Sequence, residues 1–333
     1  MRDLRDYSLK EHNTFGIDAK CSRFLEYESV DEALKVAKIL RNAATPYIII
    51  GGGSNLLLTK DYEGIVAHSA MKGVAFGDGK MSCGSGETWD DMVALAIRHR
   101  LYGMENLSLI PGDVGASAVQ NIGAYGAEAK DLILSVDAVE IASGKVVTIA
   151  GADCGYGYRE SKFKHEWKDR YLITSVTYVL KRTFEPRLDY GNIRAELERK
   201  GIDAPTAQQV RDTIIEIREA KLPDPKVMGN AGSFFMNPIV SREKYESLAQ
   251  QYEGMPHYEV DAEHVKIPAG WMIDQCGWKG KSLGRAGVHA KQALVLVNLG
   301  GASGAEIVTL CETIRADVKA KFGIEIYPEV NII

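Results

Sequence analysis

Three side chains in this 333-residue sequence stand in settings suited to chemistry. Arg159 lies within Gly155-Tyr156-Gly157-Tyr158-Arg159-Glu160-Ser161. A guanidinium flanked by an aromatic ring and glycines can fork a carboxylate or phosphate and stack on the ring; the other reading is a surface turn with one solvated arginine. Ser233 sits between the turn Gly229-Asn230-Ala231-Gly232 and the aromatic pair Phe234-Phe235. Its hydroxyl suits either a proton donor in a dry pocket or a local backbone cap. Glu329, in Pro328-Glu329-Val330-Asn331, is a lone carboxylate in an apolar terminal stretch. It suits either a site or an exposed strand edge with the charge in water.

Two segments of small residues accompany them. Residues 109–128 read LIPGDVGASAVQNIGAYGAE, with Gly112, Gly115, Gly123 and Gly126 interleaved with Ala116, Ser117, Ala118 and Ala124. The loop Gly51-Gly52-Gly53-Ser54-Asn55 follows the apolar run Tyr47-Ile48-Ile49-Ile50. Such backbones can approach a ligand with no side chain in the way. Two of them in one chain suggest a long ligand with a diphosphate in its middle. Ordinary glycine turns are the competing explanation.

The known phosphate and cofactor fingerprints are missing. Residues 51–53 lack the third glycine of a dinucleotide fingerprint, and Gln275 stands where a P-loop ending in Gly280-Lys281-Ser282 would need its first glycine. There is no H-E-x-x-H and no nucleophile elbow, and the seven histidines show no metal spacing. The formal net charge of −5 argues against a general nucleic-acid binder. With 45% hydrophobic and 26% charged residues the chain can bury real cores. No apolar run is long enough to span a membrane, and the charged N-terminus lacks the apolar stretch of a secretory signal. Five scattered cysteines fit free thiols in a reducing cytosol.

The elements that must position these residues follow from periodicity and caps. Ser29 caps an expected helix over 31–41 with Val30, Leu34, Ala37 and Leu40 on one face. Pro46 opens a strand over 47–50. A helix over 89–99 is expected behind Thr88, with Asp91 at N3 in a short relative of the capping box. Strands are expected over 132–139, 145–149 and 171–180. Thr206 caps a helix bearing Val210, Ile214 and Ile217, which Lys221-Leu222-Pro223-Asp224-Pro225 ends at a domain boundary. A charged helix near 241–252 follows. Ser303 and Glu306 open the last helix, Ile307, Leu310, Ile314 and Val318 stripe it, and Gly323 ends it. A terminal strand is expected over 324–333. No internal repeat appears.

At these residues the chain resembles the UDP-N-acetylenolpyruvoylglucosamine reductase family, the flavin reductases of peptidoglycan precursor synthesis. The stretches that carry the resemblance are HNTFGIDA at 12–19, GGGSNLLL at 51–58, IPGDVGASAVQNIGAYGAE at 110–128, YRES at 158–161, KLPDPKVMGNAGSFF at 221–235, AGWMIDQCG at 269–277 and PEV at 328–330. Length and the 258–292 segment are similar to the longer (type I) form.

The resemblance implies an α+β fold. A two-part FAD-binding domain of the vanillyl-alcohol-oxidase (PCMH) type would comprise 1–69 with 311–333 and then 70–224. A separate α+β substrate-binding domain would span 225–310. Non-covalent FAD would contact Gly51, Gly52, Gly53, Ser54, Asn55, Leu56, Pro111, Gly112, Gly115, Ala116, Ser117, Gln120, Asn121, Ile122, Gly123 and Arg218. Arg159, Ser233 and Glu329 would be catalytic; Tyr158, Tyr190, Lys221, Asn237, Tyr258 and Gln292 would bind substrate. Met236 departs from the family by replacing a common lysine. The implied activity is NADPH-dependent reduction of the enolpyruvyl group of UDP-N-acetylglucosamine enolpyruvate to UDP-N-acetylmuramate, by a cytoplasmic monomer without a metal. The alternatives are an FAD-dependent oxidase of the same fold, or a non-catalytic flavin- or UDP-sugar-binding sensor.

Overall fold

The alternating apolar pattern of the first third folds into a four-stranded sheet. In this computed structural model, which describes residues 1–333, strands Arg2–Ser8, Lys20–Tyr27, Tyr62–Ser69 and Tyr47–Ile50 are neighbours in that order. The last three run parallel. Helix α1 (Val30–Arg41) begins where the Ser29 side chain accepts a hydrogen bond from the Glu32 N–H. Its buried residues are Ala33, Val36, Ala37 and Leu40, so the buried face is rotated from the expected one, with Val30 and Leu34 half-buried at its edge. The two alanines place little bulk against Leu25, Tyr27, Ile65 and Ala67 of the same core.

A five-stranded antiparallel sheet follows, ordered Lys145–Ala150, Ile133–Glu140, Tyr171–Val179, Lys80–Gly84, Val74–Gly77. Helices α2 (Trp89–Arg98) and α3 (Val114–Gln120) share its core through Trp89, Val93, Val114 and Ala118, packed with Val136, Val176 and Tyr178. Thr88 occupies the N-cap of α2, but its side chain makes no capping bond; the first turn instead spends Asp90 on Arg211 and the Leu109 N–H. Helix α3 was not anticipated inside the small-residue segment. Val114, Ala116, Ala118 and Val119 tolerate helix once Asp113 serves as N-cap, and Asn121 ends it at φ 47°.

Helices α4 (Ile193–Arg199) and α5 (Ala207–Lys221) pack through Ile193, Leu197, Val210, Ile214 and Ile217. Thr206 and Gln209 form a reciprocal cap: the Gln209 N–H donates to Thr206 Oγ1 at 3.2 Å, and the Thr206 N–H donates to Gln209 Oε1 at 2.8 Å. The helix stops two residues before Pro223.

Contacts divide the chain into two units. One comprises Met1–Tyr7, Cys21–Gly52 and Tyr62–Ala220; the other Ser8–Lys20, Gly53–Asp61 and Lys221–Ile333. The break at Lys221 falls beside the expected boundary. Residues 311–333, however, group with 221–310, as do 8–20 and 53–61, and not with the rest of 1–69. Hydrogen bonds to residues 14 and 15 explain this: Asn230 N donates to Thr14 O at 3.0 Å, and the Asn298 side-chain amide to Phe15 O at 2.9 Å.

The second unit holds two small sheets, Ile239–Ser241 with His264–Lys266 and Tyr258–Glu259, and Ser282–Leu283 with Ala286–Val288 and Leu296–Asn298. Helices α6 (Arg242–Ala249), α7 (Ala269–Gln275) and α8 (Gly304–Phe322) accompany them. Ser303 and Glu306 close a full capping box on α8, all four stripe residues are buried, and Gly323 takes φ 62°. The expected terminal strand shrinks to Asn331–Ile332, parallel to Leu56–Leu57. Ile324, Ile326 and Val330 are buried, but Pro328 has no N–H to continue a ladder. No helix of the chain is long and apolar enough to cross a membrane.

Adjacent residues at the start of α8 give opposite tests of helix propensity and packing. Ser303→Ala should cost ~1 kcal/mol through loss of the cap. Gly304→Ala would gain by propensity in an open helix. Here its Cβ would lie 1.9 Å from Leu58 O, so a loss of ~3 kcal/mol or more is expected. Urea unfolding midpoints decide; a stabilised Gly304→Ala variant would contradict the packing.

Candidate active site

Gly51 and Gly52 face the start of α3 so closely that a side chain would fit only if its neighbours gave way by a few tenths of an ångström. A Cβ on Gly51 would lie 3.0 Å from Ala116 Cβ; one on Gly52 would lie 3.1 Å from Asp113 Oδ1 and 3.3 Å from Gly112 Cα. Gly112 itself takes φ 113°. Within α3 the small residues divide by face. Gly115 packs where a Cβ would meet Ser85 at 3.0 Å, and Ser117 turns inward, donating to Val114 O at 2.7 Å beside Tyr178 Oη at 2.8 Å. Gly112, Ala116, Gln120, Ile122 and Gly123 remain partly exposed, and Pro111 is exposed. Smallness therefore serves internal packing at Gly115 and Ser117, and backbone approach at Gly51, Gly52 and Gly112.

Arg159 stands at the tip of a tight turn. The Gly157 N–H donates to Glu160 O at 3.0 Å, and the Glu160 N–H returns to Gly157 O at 3.1 Å. Arg159 holds φ 56°, a left-handed conformation costly for a residue with a Cβ. Its guanidinium stacks on Tyr158, 5.5 Å from the ring centre, and Nη2 donates to Gly123 O at 2.7 Å. The turn thus delivers Arg159 to the small-residue segment. A Cβ on Gly123 would approach Arg159 Nη1 to 2.9 Å.

A second arginine, Arg218 on α5, belongs to the same unit. Burial draws its guanidinium below the usual arginine range and Arg159 adds to this, while Tyr125 and Asp90 oppose it. Its Nε is buried with no hydrogen-bond partner. One α5 turn pair earlier, Arg211 grips Asp90 by both nitrogens, at 2.6 and 2.8 Å. Asp90 also accepts the Leu109 N–H at 2.5 Å. Burial pushes the Asp90 carboxyl up, but these bonds outweigh it and hold it below the ordinary range. Tyr190, about half exposed, lies beside Gly126, whose Cβ would meet it at 3.3 Å.

In the second unit, Gly53 is pressed against residues 12–13; its Cβ would sit 1.9 Å from His12 O. The Asn55 amide donates to Glu329 O at 3.2 Å, and Asn331 N to Asn55 O at 3.1 Å. Phe235 bridges Pro328, with the Glu329 N–H donating to Phe234 O at 2.8 Å and the Met236 N–H to Tyr327 O at 2.9 Å. This pairing brings the main chain of Ser233 and Glu329 to one edge. Ser233 is exposed and Glu329 half-buried. Phe234 N also donates to Leu294 O at 2.8 Å, next to Gln292. Asn237 Oδ1 accepts from Ala269 N at 2.9 Å, and a Cβ on Gly270 would lie 3.3 Å from Gln292 Oε1. The start of α7 therefore gathers Asn237 and Gln292. Tyr258 is about half exposed opposite Lys266, whose ammonium lies 5.8 Å from its ring. Lys221 ends α5 exposed.

Over 98% of its length the chain is 56% identical to the UDP-N-acetylenolpyruvoylglucosamine reductase of Bacteroides fragilis, of which it covers 99%. The chain belongs to the UDP-N-acetylenolpyruvoylglucosamine reductase family. Within that family it is also 46% identical to the Flavobacterium johnsoniae protein, with 98% of each chain covered. The family model for the UDP-N-acetylenolpyruvoylglucosamine reductase C-terminal domain matches residues 224–333, and an FAD-binding domain model matches 22–150. The first match runs through the last residue, in line with the grouping of 311–333 above. A UDP-N-acetylenolpyruvylglucosamine reductase structure from Thermus caldophilus shares the fold, with TM-score 0.68, 22% identity and coverage of 99% and 98%.

The residues present fit an FAD. A Cβ would fill the gap that Gly51 and Gly52 leave against 112–116, and Arg218 Nε is a buried donor awaiting an acceptor. Sequence reasoning missed Tyr125, which hydrogen-bonds Arg218, and the Asp90–Arg211 pair. Tyr125 carried one faint signal: it lies between glycines and takes φ 48°. Nothing local marks Asp90, whose partner is 121 positions away.

Asp90 sets a pH dependence. Its folded pKa is depressed, so its contribution to stability is complete above the ordinary carboxyl value of about 3.9 and is lost as pH falls toward the folded value. Asp90→Asn cannot titrate. The gap in urea midpoint between wild type and Asp90→Asn should hold at neutral pH and narrow as pH falls below about 4 toward the depressed folded value. A constant gap would show that the carboxyl titrates alike folded and unfolded.

Proposed function

We propose that the chain reduces the enolpyruvyl group of UDP-N-acetylglucosamine enolpyruvate to UDP-N-acetylmuramate, with NADPH as reductant and FAD held non-covalently, in the cytoplasm. The observation that supports this is the edge on which Phe235 bridges Pro328, because it brings the main chain of Ser233 close to that of Glu329. Free cysteines, four of them buried, support the reducing compartment.

Bound FAD supplies the hydride route from NADPH to the terminal carbon of the enolpyruvyl group. As that carbon is reduced, negative charge builds on the substrate carboxylate. Arg159 grips this carboxylate with its planar fork, and a fixed cation of this kind stabilises charge where it develops. Ser233 then gives its proton to the neighbouring carbon. Serine is a weak acid, so the Glu329 edge must stabilise the alkoxide or return a proton to it through water. Glycines 51–53 and residues 111–123 would hold the cofactor diphosphate by backbone, and Arg218 would meet the flavin. Tyr158, Tyr190, Lys221, Asn237, Tyr258 and Gln292 hold the UDP-sugar. At position 236 methionine stands where the family commonly has a lysine and so removes a cation, and the backbone bond of Met236 to Tyr327 leaves the Ser233 edge unaffected.

The purified protein should be yellow, and acid should release all its flavin as free FAD. A colourless protein that takes up no FAD sinks the cofactor assignment.

Ser233→Ala should keep FAD and its reduction by NADPH, yet slow reoxidation by the enolpyruvyl sugar by ~10²-fold or more. Arg159→Lys should lose ~2 kcal/mol or more in kcat/KM, since an ammonium lacks the fork. Anaerobic stopped-flow absorbance resolves the two half-reactions. Equal loss of both in Ser233→Ala would make the serine structural. Reduced flavin that reoxidises rapidly in air and ignores the UDP-sugar would favour an oxidase.

A further inference from the structure

We infer that Asn121 is a positioning residue for Arg159, acting through the turn that carries it. This rests on the reading that Arg159 grips the substrate carboxylate.

Asn121 ends α3, is fully buried and holds φ 47°. Its side-chain amide is consumed inside the unit. Nδ2 donates to Gly157 O at 2.7 Å and to Glu128 Oε2 at 2.9 Å, and Oδ1 accepts the Lys130 N–H at 2.9 Å. Both donors and the acceptor are thereby used. The Gly157 carbonyl is the pivot. It also accepts the Glu160 N–H that closes the turn around Tyr158 and Arg159. Fixing that carbonyl fixes the peptide plane at the start of the turn, and with it the direction in which Arg159 leaves.

Arg159 needs such support. A side-chain-bearing residue at φ 56° persists only where its surroundings over-determine it. Ser161, directly after the turn, donates to Val119 O at 2.6 Å on α3. Arg159 Nη2 reaches Gly123 O, two residues beyond Asn121. The turn is thus stitched at three points to 119–123, one of them through the Asn121 side-chain amide. Aspartate would keep the shape but lose the donor and face Glu128 as a like charge.

The test is Asn121→Gly in the FAD-loaded enzyme. Glycine accepts φ 47° freely, so the substitution removes the amide without straining the backbone. The Asn121 side chain is fully buried and its amide is used inside the unit, so any contact of position 121 with FAD is through the backbone, which glycine keeps. FAD content and flavin reduction by NADPH should stay within about twofold of wild type. Reoxidation by the enolpyruvyl sugar should slow by ~10–100-fold, the scale of a misplaced catalytic group. Arg159→Lys, added to Asn121→Gly, should slow that step far less than it does in wild type, because a displaced arginine has little left to lose.

Loss of FAD, equal slowing of both half-reactions, or multiplicative effects in the double variant would each overturn the proposal. So would a wild-type reoxidation rate in Asn121→Gly. An unimpaired Arg159→Lys single variant would instead remove the Arg159 reading beneath it. Should Asn121→Gly not fold, Asn121→Asp serves: it should slow the same half-reaction alone, and Glu128→Gln should restore part of the rate by removing the repulsion. Slowing of both half-reactions there, or no restoration, overturns the proposal.

Discussion

Backbone touching backbone is the constraint on which this structure depends. Gly53 meets His12, Gly229 meets Phe15 and Gly304 meets Leu58, each at distances no Cβ allows, and Gly51 and Gly52 press less severely on 112–116. In each case the approach joins segments far apart in sequence. Residues 8–20 and 53–61 are drawn into the C-terminal unit by such contacts. Glycine there serves packing more than flexibility, and side-chain volume removed from these points lets the candidate cradle form.

Electrostatics then fixes what the close approach permits. Asp90 receives Arg211 through two bonds and the Leu109 N–H through a third. It therefore ties α5 to the entrance of the small-residue segment. Arg218 lies two turns further along α5, buried and only partly compensated by Tyr125 and Asp90. A buried guanidinium with an unmet donor is costly unless something completes it. An FAD that met Arg218, as proposed, would supply such a partner.

Much of the local structure was legible because it rests on local chemistry. The capping boxes at Thr206 and Ser303, the stripe of α8 and the strand Tyr47–Ile50 each need only neighbours within a turn or two. The same holds for the break at Lys221, where two prolines stop a helix. Besides the α1 face and the Thr88 cap, three expectations moved. Helix α3 lay unseen within 109–128 because small residues satisfy both loop and helix. The terminal strand shortened at Pro328. Residues 311–333 joined the C-terminal unit, since parallel pairing with Leu56–Leu57 is not encoded in either strand alone.

The sequence by itself determined the residue types that could do chemistry and the segments with room for a cofactor. Long, unusual stretches of matching residues were enough to point to the family. Only the tertiary structure decided which partner each polar group found. Asn121 stood in the sequence as one more residue of a cradle, yet its amide bonds Gly157, thirty-six positions away. The main chains of Ser233 and Glu329 came to one edge through a bridge between Phe235 and Pro328. Periodicity and caps act over one or two turns of chain, whereas hydrogen bonds across the fold depend on where the whole chain returns.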